Sequence, residues 1–189
     1  PECDLAIEDI VNESVNTEEL KSPVSLNTDN IPYSPKIKQR IKDEFEQILH
    51  LLDFNNKAHD LYRRWYIDGR LHFHKIIDEN DPQKGIQELR YIDALKIKRV
   101  RKVEKDITPK GSPTVKVLED YYIYNEGGMS GQKNTPVGGA MKITADAIAN
   151  CPSGLYDPTK NMVLSYLQKA IKPVNQLRMI EDAVVIYRI

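Results

Sequence analysis

From Asp157-Pro158 to the last residue, Ile189, the sequence carries an apolar pattern that one small domain cannot easily absorb. Asp157 ahead of Pro158 is a helix start, with an N-cap residue before proline at the first helical position. Val163, Leu167, Ala170, Val174, Leu177 and Val184 then follow a near-heptad spacing, which predicts a helix with one apolar stripe. If helical throughout, 158–189 would reach roughly 45–48 Å at about 1.5 Å per residue. Such a stripe must meet other parts of the chain or a neighbouring subunit. Pro173 lies inside it, removes one backbone donor and predicts a kink or a split there. No Gly, Asn or Pro stops the helix between Arg178 and Ile189. With no Met at the other end, both ends are read as cuts.

The other terminus is different in kind. Residues 1–34 hold eight acids against the single Lys21, a balance of −7 within a chain of net −1, so the other 155 residues sum to +6. Apolar residues are sparse there and Asn, Ser, Thr and Pro recur, which predicts an extended acidic arm. The near-neutral total excludes a protein held to nucleic acid by bulk charge alone. No run approaches the roughly 18 apolar residues of a membrane span. Pro1-Glu2-Cys3-Asp4 is acidic where a secretory signal is basic. Cys3 and Cys151 read as two free thiols in a reducing compartment.

Between the arm and the terminal run, 35–157 predicts an α+β domain. Ser34-Pro35 opens a helix whose Ile37, Ile41, Phe45, Ile48, Leu49 and Leu52 share a face. Asn55-Asn56 breaks it and caps a second helix, with Ala58, Leu61, Tyr62 and Trp65 at helical spacing until Asp68-Gly69; together they predict a helical hairpin. Strands are expected at 71–77, 86–92, 97–103, 114–118, 121–124, 140–143 and 147–150, forming a mostly antiparallel sheet. The Gly-rich segment 127–139 is expected to be a mobile surface loop.

Few residues suggest chemistry. Measured from Gly127, a phosphate-binding loop would require Gly where Gln132 stands and Ser or Thr where Asn134 stands; only Lys133 fits. His72 and His74 share a strand face and would offer a metal two ligands, with no third at recognisable spacing; His59 or Cys151 would have to be brought in by the fold. Asp78, Glu79 and Asp81 read as a polar hairpin tip rather than a cation site. No Gly-x-Ser-x-Gly elbow or activated cysteine is present, so neither an enzyme nor a cofactor is predicted. An enzyme with 127–139 as its lid would need a deep polar pocket beside that loop. Lys96, Lys98, Arg99, Arg101, Lys102 and Lys105, with Glu104 among them, are candidate contacts to phosphates or to a partner. The same charges also suit an edge strand blunted against aggregation. Tyr121, Tyr122 and Tyr124 read as sheet residues.

Longer runs carry a resemblance. Ser153 to Arg188, including Lys172-Pro-Val-Asn-Gln-Leu-Arg-Met-Ile-Glu-Asp-Ala-Val-Val-Ile-Tyr-Arg188, resembles the portal vertex proteins of T4-like contractile-tailed phages, as do Gly69-Arg-Leu-His-Phe-His-Lys-Ile-Ile77, Gly85-Ile-Gln-Glu-Leu-Arg-Tyr-Ile-Asp93 and Tyr121-Tyr-Ile-Tyr-Asn-Glu126. The likeness covers residues 31–189, and phages of marine cyanobacteria are a plausible source. It implies a subunit of a dodecameric ring at one vertex of the head, assembled in the host cytoplasm and retained in the virion. The ring nucleates capsid assembly, passes double-stranded DNA during packaging and ejection, and meets the major capsid protein, the large terminase and the neck proteins. This region would be mostly the wing, with 158–189 in the wing or leading to the stem. The family's remaining stem, clip and crown have no counterpart here, so the chain alone is expected to be monomeric or weakly associating. No catalytic residue, metal or cofactor carries over. The competing reading is a nucleic-acid-binding module using Lys96 to Lys105.

Overall fold

A computed structural model describes residues 2–15, 23–107, 113–129, 140–158 and 162–188. The chain is α+β. It divides into two compact units, one formed by 1–29, 55–70 and 152–189, the other by 30–54 and 71–151. The chain passes between them at four internal points.

The first unit begins with α1 (Glu2–Ser14). Residues 2–14 of the segment expected to be an extended arm are therefore helical. Ile7, Val11 and Val15 recur every four residues and are buried, giving the acidic sequence a narrow apolar stripe that its low average hydrophobicity hid. Arg63 of α3 (Phe54–Asp68) donates to Asp4 of α1. Ala58 and Leu61 form the buried face of α3, as their spacing predicts. Gly69 ends the helix at φ +72°, where a side chain would be strained.

The same unit holds a two-residue ribbon, β7 (Tyr156–Asp157) with β8 (Met162–Val163), and α4 (Gln168–Tyr187). The helix expected from Pro158 thus starts ten residues later. Residues 155–157 and 162–164 satisfy their backbone partly across the ribbon, where Leu164 N–H donates to Leu155 C=O at 2.8 Å. Pro173 lies within α4 and does not end it. Ser153 ties the start of this segment to Gly69: its N–H donates to the Gly69 carbonyl at 2.7 Å and its Oγ to the Leu164 carbonyl at 2.6 Å. Tyr166 donates to the Ser153 carbonyl and stacks flat on Tyr66, with ring centres 5.4 Å apart.

The second unit packs two three-stranded sheets. One has the order β2–β1–β6, from β1 (Arg70–Ile77), β2 (Ile86–Ile92) and β6 (Ile148–Pro152). The other has the order β3–β4–β5, from β3 (Ile97–Ile107), β4 (Pro113–Tyr124) and β5 (Met141–Thr144). The β1–β2, β3–β4 and β4–β5 pairs are antiparallel. The two strands expected at 114–118 and 121–124 are one: Glu119 and Asp120 pair regularly with β3, and the register shift between Lys102 and Val103 leaves Leu118 as the extra residue.

The core of this unit joins both sheets: Ile92, Ile97, Tyr122 and Ile148, with Tyr124, Ile143 and Ala145 around them. Tyr122 is 2% exposed and meets the edge of the buried His72 ring at 5.8 Å. Burying a side chain of that size contributes about 2–3 kcal/mol. Helix α2 (Pro35–Leu51) starts at the predicted proline and lies against β2, with none of its residues fully buried. Consecutive helices α2 and α3 belong to different units.

Candidate functional site

The basic stretch predicted as a contact surface forms β3 and the turn before it. Lys96 sits in the turn; Lys98, Arg99, Arg101, Lys102 and Lys105 lie on the strand, at the edge of its sheet. The register sets Arg101 opposite Asp120 and Lys102 opposite Glu119. Those two acids dominate the local electrostatics. Arg99 Nε donates to Asp120 Oδ1 at 2.9 Å and its Nη2 to Oδ2, while Arg101 Nη2 reaches Oδ2 at 3.4 Å. Lys102 Nζ donates to Glu119 Oε1 at 3.1 Å, and Lys142 of β5 lies 3.6 Å from Oε2.

Protonation follows this geometry. The hydrogen bonds from Arg99 hold the Asp120 carboxyl below its ordinary range, with the charges of Arg99 and Arg101 adding to the effect. Lys102 does the same for Glu119 through its hydrogen bond and then its charge. Arg99 also lies over the Tyr122 ring, 5.7 Å from its centre. Three of the six candidate cations are thus already matched by carboxylates. Among the described residues, Lys96 and Lys98 make no ion pair. The side chain of Lys105 lies outside the described residues. Cross-strand pairing is the signal that finds Asp120 and Glu119 in advance: a hairpin aligned on its alternating residues sets them against Arg101 and Lys102.

The other candidates do not converge. His72 is buried against Tyr122, whereas His74 stands opposite Arg90 at the edge of the inter-sheet space. Among the described residues no group of three His, Cys, Asp or Glu side chains is placed to hold a metal. Asp78 accepts from the Asn80 N–H at 3.0 Å and Asp81 lies 3.5 Å from Lys84, so both acids serve the β1–β2 connection. Cys151 is exposed as a residue, yet desolvation of its thiol pushes the pKa up, away from a reactive thiolate. Residues 130–139 of the Gly-rich segment lie outside the described residues.

Helix α4 presents a long exposed apolar surface. None of its 20 residues is buried. Ile171, Leu177, Ile180, Val184, Val185 and Ile186 are all largely exposed, and Tyr187 is 92% exposed. A helix apolar on several sides is ordinarily covered by protein. Among the described residues, no helix is long and apolar enough to cross a membrane.

The arrangement suits binding and assembly better than catalysis, and sequence relationships give the class. The whole chain, residues 1–189, matches the family described as Bacteriophage T4-like portal protein (Gp20). It is 38% identical over 199 aligned positions to the portal protein of Vibrio phage KVP40, covering all of this chain and 37% of that protein. It is 34% identical to the portal protein of Salmonella phage ViI, covering all of this chain and 36% of that protein. The chain belongs to the T4-like portal protein family. It spans little more than a third of the length of these relatives.

Proposed function

We propose that the chain acts as a structural, wing-like part of the portal ring at one vertex of a phage head. In that role it carries no catalysis. Twelve copies of the longer protein close the ring, nucleate the capsid and surround the passage for double-stranded DNA. The capsid, the packaging motor and the neck are its partners in the virion. The segments 1–34, 35–157 and 158–189 serve as arm, wing domain and the element leading towards the stem.

The observation that carries this reading is α4. Its side chains Ile171, Leu177, Ile180, Val184, Val185 and Ile186 stand exposed, and a ring closed by one repeated heterologous contact supplies cover at every copy. Family membership over all 189 residues supports the same reading. The nucleic-acid-binding alternative is not favoured, because Arg99, Arg101 and Lys102 are engaged by Asp120 and Glu119.

The test uses the longer protein, in which Leu177→Glu and Val184→Glu are introduced together. Native mass spectrometry should find subunits in place of closed rings, while circular dichroism of the 189-residue chain stays unchanged. Rings of normal order in the double variant would refute the role given to α4.

A further inference from the structure

A cleft of about 390 Å³ opens between the two sheets of the second unit. Arg90 lines it from β2, Asp93 and Lys96 from the β2–β3 turn, and Tyr124, Met141 and Ile143 from β4 and β5. The register explains its position. His74 and Arg90 are cross-strand partners one step beyond the His72–Ile92 pair that enters the core, and Met141 stands opposite Tyr124 on the facing sheet. The apolar packing stops at this step and the charged side chains begin.

The walls differ in chemistry. One side is aromatic and aliphatic, and Met141 remains 61% exposed on it. The other side carries two cations. Arg90 is shared with Glu88 at 3.1 Å, whereas Lys96 makes no ion pair among the described residues. Asp93 is occupied in holding its own turn, accepting from the Leu95 N–H at 2.8 Å, and that turn exposes Leu95 beside the cleft.

We propose that this cleft docks an acidic peptide segment of a partner chain. An apolar side chain of the segment seats against Tyr124, Met141 and Ile143, and a neighbouring carboxylate lies beside Lys96 and Arg90. Charge complementarity selects the occupant. A nucleic-acid strand would bring a row of phosphates to a place where, among the described residues, Lys96 is the lining cation without an ion pair and the carboxylate of Asp93 stands beside it. An acidic peptide brings one charge at a time and apolar side chains between them.

The test titrates the 15N-labelled 189-residue chain with a blocked Glu-Leu-Glu-Phe-Glu peptide at low salt. Resonances of Arg90, Lys96, Tyr124 and Met141 should move together. Lys96→Glu, and separately a peptide with Gln for Glu, should each weaken binding about threefold to tenfold, the range of a partly exposed charge pair. Met141→Ser should weaken it by a similar factor. Lys96→Ala serves as the milder variant, and amide spectra establish that each variant is folded. The proposal is overturned if the cleft resonances do not move, if Lys96→Glu binds as the parent does, or if a single-stranded oligonucleotide binds the cleft more tightly than the peptide.

Discussion

Arg99 makes its two-pronged contact with Asp120, which stands opposite Arg101, and not with its own cross-strand partner Tyr122. The guanidinium reaches diagonally and lies over the Tyr122 ring, so one side chain serves both an ion pair and the outer cover of the core. Replacing Asp120 by Ala therefore removes the acceptor of two arginines and loosens the cover of Tyr122. Arg99 is 41% exposed, so water screens much of the attraction. We expect a loss of about 1 kcal/mol, measured as a shift in urea midpoint at constant slope.

The same pair sets a pH dependence. Asp120 is held below the ordinary carboxyl value, chiefly by the hydrogen bonds from Arg99. A group whose folded value is depressed contributes stability above its unfolded value, near about pH 4, and loses it as pH falls through the folded one. The stability gap between the parent chain and Asp120→Asn should hold steady from pH 8 to 6 and shrink below about pH 4. Paired urea titrations at pH 7 and pH 3 measure it. A gap of the same size at both would show that Asp120 acts through packing and not through charge.

Gly69 has no substitute at its position. Its φ of +72° disfavours any side chain, and a Cβ there would lie 2.6 Å from the Leu164 carbonyl oxygen. That carbonyl also accepts from Ser153 Oγ, so the intruding carbon would press on a hydrogen-bonded node. Gly69→Ala should cost about 2–3 kcal/mol, combining backbone strain with displacement. Ser153→Ala should cost about 1–2 kcal/mol, since it takes the hydroxyl from both the Leu164 carbonyl and the Leu155 N–H. Trp65 is the single tryptophan and sits 5.2 Å from the Tyr166 ring, so its fluorescence follows unfolding of this region directly.

Where a pattern was local, the sequence showed the structure. Ser34-Pro35 and Asp68-Gly69 bound helices because caps and positive-φ glycines act over a few residues. The alternation in 71–77 and 86–92 likewise yields β1 and β2. Segments decided by distant partners were less legible. The stripe Ile7, Val11 and Val15 is three residues wide in a field of acids, and only burial in the first unit gives it weight. The pairing of 156–157 with 162–163 replaces a helix start because backbone pairing overrides Asp157-Pro158 as a cap. Asp120 and Glu119 stood as charges in a tyrosine-rich strand until register paired them with β3. The interleaving of the two units follows contacts between residues more than 80 apart in sequence, and no composition shift records that.

Charge compensation on the β3–β4 ladder makes a prediction about DNA that separates the two functional readings. Asp120 and Glu119 together engage Arg99, Arg101, Lys102 and Lys142. A double-stranded DNA ligand would have to compete with these carboxylates for Arg99, Arg101, Lys102 and Lys142, so the parent chain should bind duplex DNA weakly and with a shallow salt dependence. Asp120→Asn with Glu119→Gln removes two negative charges and frees four cations on one sheet without altering side-chain size. Each additional phosphate contact steepens the slope of log K against log salt by about 0.9. Binding of the double variant at 50 mM salt should therefore exceed that of the parent by about tenfold or more, with a slope steeper by two or more units. Fluorescence anisotropy with a labelled 20-base-pair duplex measures both. If the parent chain already shows the steep slope, and Arg99→Glu abolishes it, the basic strand is a DNA-binding surface and the acids beside it serve only to order its side chains.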